Sequence, residues 1–183
     1  MFTLKEQPER KEHYLYAGSL LVEEAPHIVT TVLGSCVSVC LWDPVTKTGG
    51  INHYMLPSWN GDGSPSFKYG DIAIGELIER MFKKGSKRNL MAKVFGGAGV
   101  FQQGSPKGRR LLGVEQSNGS LEIGNKNIEI AKKILKDKGI PIIRSDVGGN
   151  VGREIMFHTD TGDVFVKKIK AKLLNGSDHG GLL

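Results

Sequence analysis

Residues 28–57, IVTTVLGSCVSVCLWDPVTKTGGINHYMLP, constrain the fold more than any other stretch of this chain. Val37, Val39 and Leu41 alternate with Ser38, Cys40 and Trp42, the two-residue period of a β-strand. Asp43-Pro44 starts a turn, and Gly49 to Leu56 returns as another strand that stops at Pro57. Upstream, the run Ile28 to Val32 is broken by Gly34-Ser35 just before Cys36. The product is a hairpin-like arrangement with Cys36 at the entrance of one strand and His53 on the other. Cysteine chemistry needs a thiolate, and a thiolate near neutral pH needs a base or cation beside it. Histidine is the usual one, because its ordinary pKa lies closest to working pH. Cys36 and His53 are a candidate nucleophile and base. The Gly34-Ser35 approach favours that reading, since glycine lets backbone N–H groups crowd a reacting centre.

Each residue also has a plainer reading, Cys36 as a small core residue and His53 as a satisfied structural histidine. Cys40 reads as buried and apolar. Zinc on Cys36, Cys40 and His53 is disfavoured by geometry. Four residues along a strand is roughly 13 Å, too far for one tetrahedral ion at about 2.3 Å per thiolate. No metal and no other cofactor is expected. His13, His27, His158 and His179 lack comparable surroundings. Gly96-Gly97-Ala98-Gly99 and Gly148-Gly149 do not complete a phosphate-binding loop.

Elsewhere the chain mixes strands and helices. Residues 1–13 read as a polar leader, and Tyr14 to Val22 as a strand. Trp59 to Tyr69 is loop, rich in Gly, Ser and Pro. After Asp71, a candidate N-cap, Ile74, Leu77, Ile78, Met81 and Phe82 recur at helical spacing up to Gly85. Lys93 to Phe95 is a short strand, and residues 101–110 read as loop. A second helix is expected over about Lys126 to Lys138, capped by Asn125, followed by a strand over Pro141 to Ser145. Arg153 to His158 and Val164 to Ile169 form a hairpin about Thr161-Gly162. The expected class is α+β, with packed mixed or antiparallel sheets and two main flanking helices. One domain over 14–173 and a loose tail over 174–183 complete the expectation.

At 39% hydrophobic and 24% charged, the 183 residues suit a soluble globular domain. Two cysteines argue against a disulfide-built secreted domain, and the charged N-terminus lacks a signal-peptide core. Cytoplasmic is the expected location. The net charge of +6 is scattered rather than clustered among aromatics, so nucleic acid is not an expected partner.

The chain resembles the CheD family of chemoreceptor glutamine deamidases over about residues 15–170. The resemblance is carried by Leu33-Gly34-Ser35-Cys36, Asp43-Pro44, His53-Tyr-Met-Leu56-Pro57, Lys68-Tyr69-Gly70-Asp71, Gly96-Gly97, Ile123-Gly124-Asn125 with Asn127, and Gly148-Gly149-Asn150. It implies Cys36 as nucleophile, His53 as base, and a threonine six residues before the cysteine, which is Thr30. Thr31 adjoins it, and only one of the two can face the thiol, because adjacent strand residues point to opposite faces. It further implies a cysteine-hydrolase-like fold, methyl-accepting chemotaxis receptors as substrates, and membrane association only through them. The chemotaxis phosphatase CheC is the implied second partner.

The expected reaction is amide hydrolysis of a glutamine side chain through a Cys36 thioester. Backbone N–H groups of Ser35 and Cys36 would hold the oxyanion, and a glutamate methyl ester is open to the same chemistry as a methylesterase side activity. Trp59 and Phe67 offer apolar surface for a protein partner. A non-catalytic regulator that only binds CheC would share the fold but need no reactive thiol.

Overall fold

Alternation of buried and exposed residues sets the layers of the molecule. A computed structural model describes residues 9–24, 26–85, 88–99 and 119–169. In chain order the elements are β1 (Lys11–Tyr14), β2 (Ser19–Glu23), β3 (His27–Leu33), β4 (Val37–Asp43) and β5 (Thr48–His53). Then follow α1 (Gly70–Lys84), β6 (Met91–Gly96), α2 (Gly119–Asp137), β7 (Ile142–Val147), β8 (Gly152–His158) and β9 (Val164–Ile169). A four-stranded sheet runs β1-β3-β8-β9, and a five-stranded sheet runs β2-β5-β4-β6-β7. Both are mixed, because β1–β3 and β6–β7 pair parallel while the other neighbours are antiparallel. The fold is α+β, as the sequence suggests.

The five-stranded sheet is covered on both faces. Val37, Val39 and Leu41 of β4 join Ala73, Ile74, Leu77, Ile78 and Met81 of α1 and Ala131 and Leu135 of α2 in one core. Cys40, on the opposite face of β4, packs with Ile51, Phe95 and with Val29, Leu33, Ile155 and Phe157 of the four-stranded sheet. The order is therefore helices, five-stranded sheet, four-stranded sheet. Continuous burial along β4 and β5 follows from that central position.

Several boundaries differ from expectation. The strand expected over 14–22 is divided at Gly18, whose φ of 77° turns the chain between sheets. Its first part, β1, starts at Lys11 within the segment read as leader. Helix α1 starts at Gly70, and Asp71 lies inside its first turn instead of capping it. Helix α2 starts at Gly119, so Asn125 is interior to the helix. The loop over 101–110, the tail over 174–183 and His179 lie outside the described residues.

The two sheets press closest beside β5. A Cβ added to Gly49 would lie 2.5 Å from the Thr159 carbonyl oxygen, which is main chain and cannot swing aside. Thr159 is itself held by its N–H to His27 O at 3.0 Å and by the His27 N–H on its hydroxyl at 2.9 Å. Gly49→Ala should lower stability by about 1–3 kcal/mol through overpacking. The same change at Gly75, inside α1 with nothing within 4 Å of an added Cβ, should raise it by about 0.5–1 kcal/mol. Denaturant unfolding of both variants checks the contrast; equal stabilities would refute the close approach.

Candidate active site

The site is built from three strands and one helix. In the β4–β5 ladder Cys40 faces Ile51, and the register resumes at the Val37–Tyr54 bridge. Between those points the Asn52 side-chain carbonyl accepts the Val39 N–H at 2.9 Å, in place of a main-chain partner. Cys36, Ser38 and Cys40 share the β4 face that looks toward the four-stranded sheet, and Ile51 and His53 share that face of β5. Cys36 and His53 therefore converge on one side of the sheet, as expected from the hairpin. Cys36 is half-buried, His53 is 5% exposed, and Cys40 is fully buried.

The third member comes across the interlayer space from β3. Thr31 is completely buried, and its Oγ1 lies 2.8 Å from His53 Nδ1 and 2.7 Å from the Leu15 carbonyl oxygen. A carbonyl only accepts, so the single Thr31 hydroxyl proton goes to Leu15. Thr31 must then accept from His53, which places the ring proton on Nδ1 and leaves Nε2 bare. Nε2 has no hydrogen-bond partner. Thr30, the residue reached by counting back from the cysteine, is paired with Tyr14 and Met156 and points to the outer face. The hydroxyl at His53 is that of Thr31.

Burial sets the protonation of the pair. It pushes the Cys36 thiol above its ordinary pKa, partly countered by the residue's own main-chain N–H. Burial also lowers the His53 pKa, partly countered by the Leu15 carbonyl. Both shifts favour the neutral thiol and the neutral imidazole over a thiolate–imidazolium pair. A threonine cannot compensate an imidazolium as a carboxylate does, so its part is to orient the ring and fix its tautomer.

The turn at Cys36 is held from two sides. Gly97 N–H donates to Cys36 O and Ala98 N–H to Gly34 O, both at 2.8 Å. From α2, Asn127 Nδ2 donates to Ser35 O and to Met55 O, each at 2.9 Å. Asn127 stands in the sequence motif quoted above, but no periodicity announces its contact with residue 35, since only the tertiary fold brings them together.

The two loop residues read as partner surface separate. Phe67 packs half-buried on the helix-side core, with the Arg80 guanidinium 5.7 Å from its ring centre. Trp59 is also half-buried, its main-chain N–H on the Asp71 carboxylate and its indole N–H on Asp62 O at 2.9 Å. The exposed apolar side chains of this segment are instead Met55 and Leu56, 40% and 38% exposed. They follow His53 directly and were not singled out in the sequence.

Among known proteins, a family model described as CheD chemotactic sensory transduction matches residues 55–168. The chain is 43% identical over 163 residues to the probable chemoreceptor glutamine deamidase CheD of Sulfurimonas denitrificans, covering 88% of this chain and 97% of that protein. It is 40% identical to the protein of the same description from Trichlorobacter lovleyi, covering 87% of this chain and 92% of the relative. With the chemoreceptor glutamine deamidase CheD of Thermotoga maritima it shares 38% identity over 83% of this chain and 88% of that protein. The family model begins just after His53, but a match over 88% of the chain necessarily includes the segment from Thr31 to His53.

Thr31→Ala should reduce turnover about ten- to a hundredfold, the loss of one orienting bond at about 1–3 kcal/mol in a buried site. Thr30→Ala should leave turnover within about twofold; the reverse ranking would return the role to Thr30. Alkylation of Cys36 should rise with pH through a midpoint above the ordinary thiol value. A midpoint between about 3.5 and 7.5, the range of ion-paired cysteines, would show a preformed thiolate. Because His53 is lowered in the folded protein, its share of stability is present above the unfolded value, about pH 6.5. That share is lost as pH falls through the lower folded value.

Proposed function

The chain belongs to the CheD family, and we propose that it is a chemoreceptor glutamine deamidase working through a covalent Cys36 intermediate. The observation that carries the reading is the His53 ring, fixed by Thr31 with an unpartnered Nε2 on the face it shares with Cys36. A bare, buried imidazole nitrogen on the sheet face of a half-buried thiol is what a general-base-assisted nucleophile needs.

In this mechanism His53 Nε2 takes the Sγ proton as sulfur bonds to the carboxamide carbon of a receptor glutamine. The negative charge that forms on the carboxamide oxygen is held by the Cys36 N–H, with that of Ser35 as the second donor. Each such donor is worth about 3–4 kcal/mol in measured systems. Collapse breaks the C–N bond, and ammonia leaves with the proton from His53. Water, giving a proton to Nε2, then attacks the thioester; the glutamate carboxyl departs and the thiol regains its proton. A glutamate γ-methyl ester would enter the same thioester with methanol as leaving group.

The substrate's own surface is met, in this reading, by Met55, Leu56 and the half-buried Trp59 beyond them. A CheC-type phosphatase would compete for the same face. Action in the cytoplasm on the inner part of a receptor fits a chain in which no described helix is long and apolar enough to cross a membrane.

Incubation with a methyl-accepting receptor fragment should add about one mass unit per modified glutamine, as NH₂ is replaced by OH. Cys36→Ala should abolish the increment while retaining the folded state, and Cys40→Ala should retain activity. An increment that persists in Cys36→Ala would remove Cys36 as nucleophile; no increment with wild-type protein would refute the deamidase reading.

A further inference from the structure

The Ser35–Cys36 peptide is held by its carbonyl end from the helix layer. Asn127 is completely buried and spends both Nδ2 protons on main-chain carbonyls, those of Ser35 and Met55. The main-chain carbonyl of Asn127 accepts the Tyr54 hydroxyl at 2.7 Å, and Tyr54 exchanges two main-chain bonds with Val37, at 3.1 and 3.0 Å. One side chain thus ties α2 to the nucleophile turn and to the segment that follows His53. Two glycines allow the approach. A Cβ on Gly124 would lie 2.6 Å from Gly97 O, and one on Gly97 would lie 2.5 Å from the Ile128 side chain. Bulk at either position would hold α2 away from the loop that pins Cys36 O.

The chemical consequence follows from peptide geometry. Among the described residues no peptide bond is cis, and in a trans peptide the carbonyl and the N–H point in opposite directions. A donor gripping Ser35 O from the helix side therefore turns the Cys36 N–H to the other side. That side is where the thiol lies, since Cys36 packs against the core between the two sheets, away from the helix layer. Among the described residues no main-chain carbonyl takes this N–H. A hydrogen bond on the carbonyl also polarises the peptide and strengthens the N–H as a donor.

We infer that Asn127 is a positioning residue that aims the Cys36 N–H at the oxyanion of acyl transfer and keeps the nucleophile turn in register with the strand carrying His53. The inference deepens the deamidase reading and rests on its thioester chemistry. Asn127 touches no reacting atom; it acts through the peptide it holds.

The test separates oxyanion chemistry from thiol reactivity and from the natural substrate. p-Nitrophenyl acetate acylates a thiol through a tetrahedral oxyanion: the S–C bond forms, nitrophenolate leaves, and the thiol proton passes to His53. Iodoacetamide alkylates the same sulfur by displacement of iodide, with no oxyanion. In Asn127→Ala the acylation burst should slow by about ten- to a thousandfold, up to the loss of one oxyanion donor. Alkylation of Cys36 should stay within about twofold of wild type. Asn127→Ser, which keeps one donor, should recover part of the burst rate. Parallel loss of acylation and alkylation, an unchanged burst, or failure of both variants to fold would overturn the inference and leave Asn127 a structural clamp. Wild-type protein that gives the burst but never modifies a receptor fragment would refute the deamidase reading alone.

Discussion

A buried hydroxyl between two sheets is the interaction on which this site depends. Thr31 comes from the four-stranded sheet and His53 from the five-stranded one, and their 2.8 Å contact spans the interlayer space. Because side chains alternate along a strand, a slip of one residue in β3 would replace the inward hydroxyl with Thr30 or Val32. Val29, Leu33 and Thr31 point inward together, so the hydrophobic packing that fixes the register also fixes the hydroxyl at His53. The Leu15 carbonyl then settles where the hydroxyl proton goes, and through it the tautomer of His53.

Dryness explains the choice of threonine. A carboxylate in that place would have to be desolvated, and an ion buried without full compensation is costly. A neutral hydroxyl between a neutral ring and a carbonyl satisfies each group without a charge. The same burial raises the thiol and lowers the imidazole, which favours the neutral form of both. In the proposed mechanism, stabilisation of charge then comes from donors that face the reacting carbonyl as the thiol attacks. That shifts weight onto the geometry of the Cys36 turn, which Gly97, Ala98 and Asn127 hold from different directions.

How legible this was in the sequence depended on whether a residue's partner lay nearby in the chain. Period-two alternation in β4, the Asp43-Pro44 turn and the returning strand made Cys36 and His53 readable as neighbours, and α1 was readable from its apolar spacing. The parity of β3 was not, since Ile-Val-Thr-Thr-Val offers similar residues to both faces and no local contrast says which is buried. β1 was hidden because its four exposed residues, Lys-Glu-His-Tyr, look like a solvated leader while pairing as an edge strand. The first turns of α2 were hidden by Gly119, Ser120 and Gly124, poor helix formers that made Asn125 look like a cap. Phe67 looked like partner surface because a loop aromatic carries no sign of the helix it folds back upon.

Asn127 marks the limit of local reading. It lies 92 residues from Ser35 and 72 from Met55, and an asparagine on a helix ordinarily reads as solvated. Only the close packing at Gly97 and Gly124 brings its amide to the turn, and only there does the resemblance motif acquire a physical meaning. The paired glycines and the asparagine form one device: small residues admit the helix, and the helix delivers a donor to the peptide ahead of the nucleophile. The Cys36 turn is thereby shaped by α2 on one side of the sheet, while the His53 ring is held by β3 on the other. The central sheet carries Cys36 and His53, and each outer layer supplies one constraint to the pair.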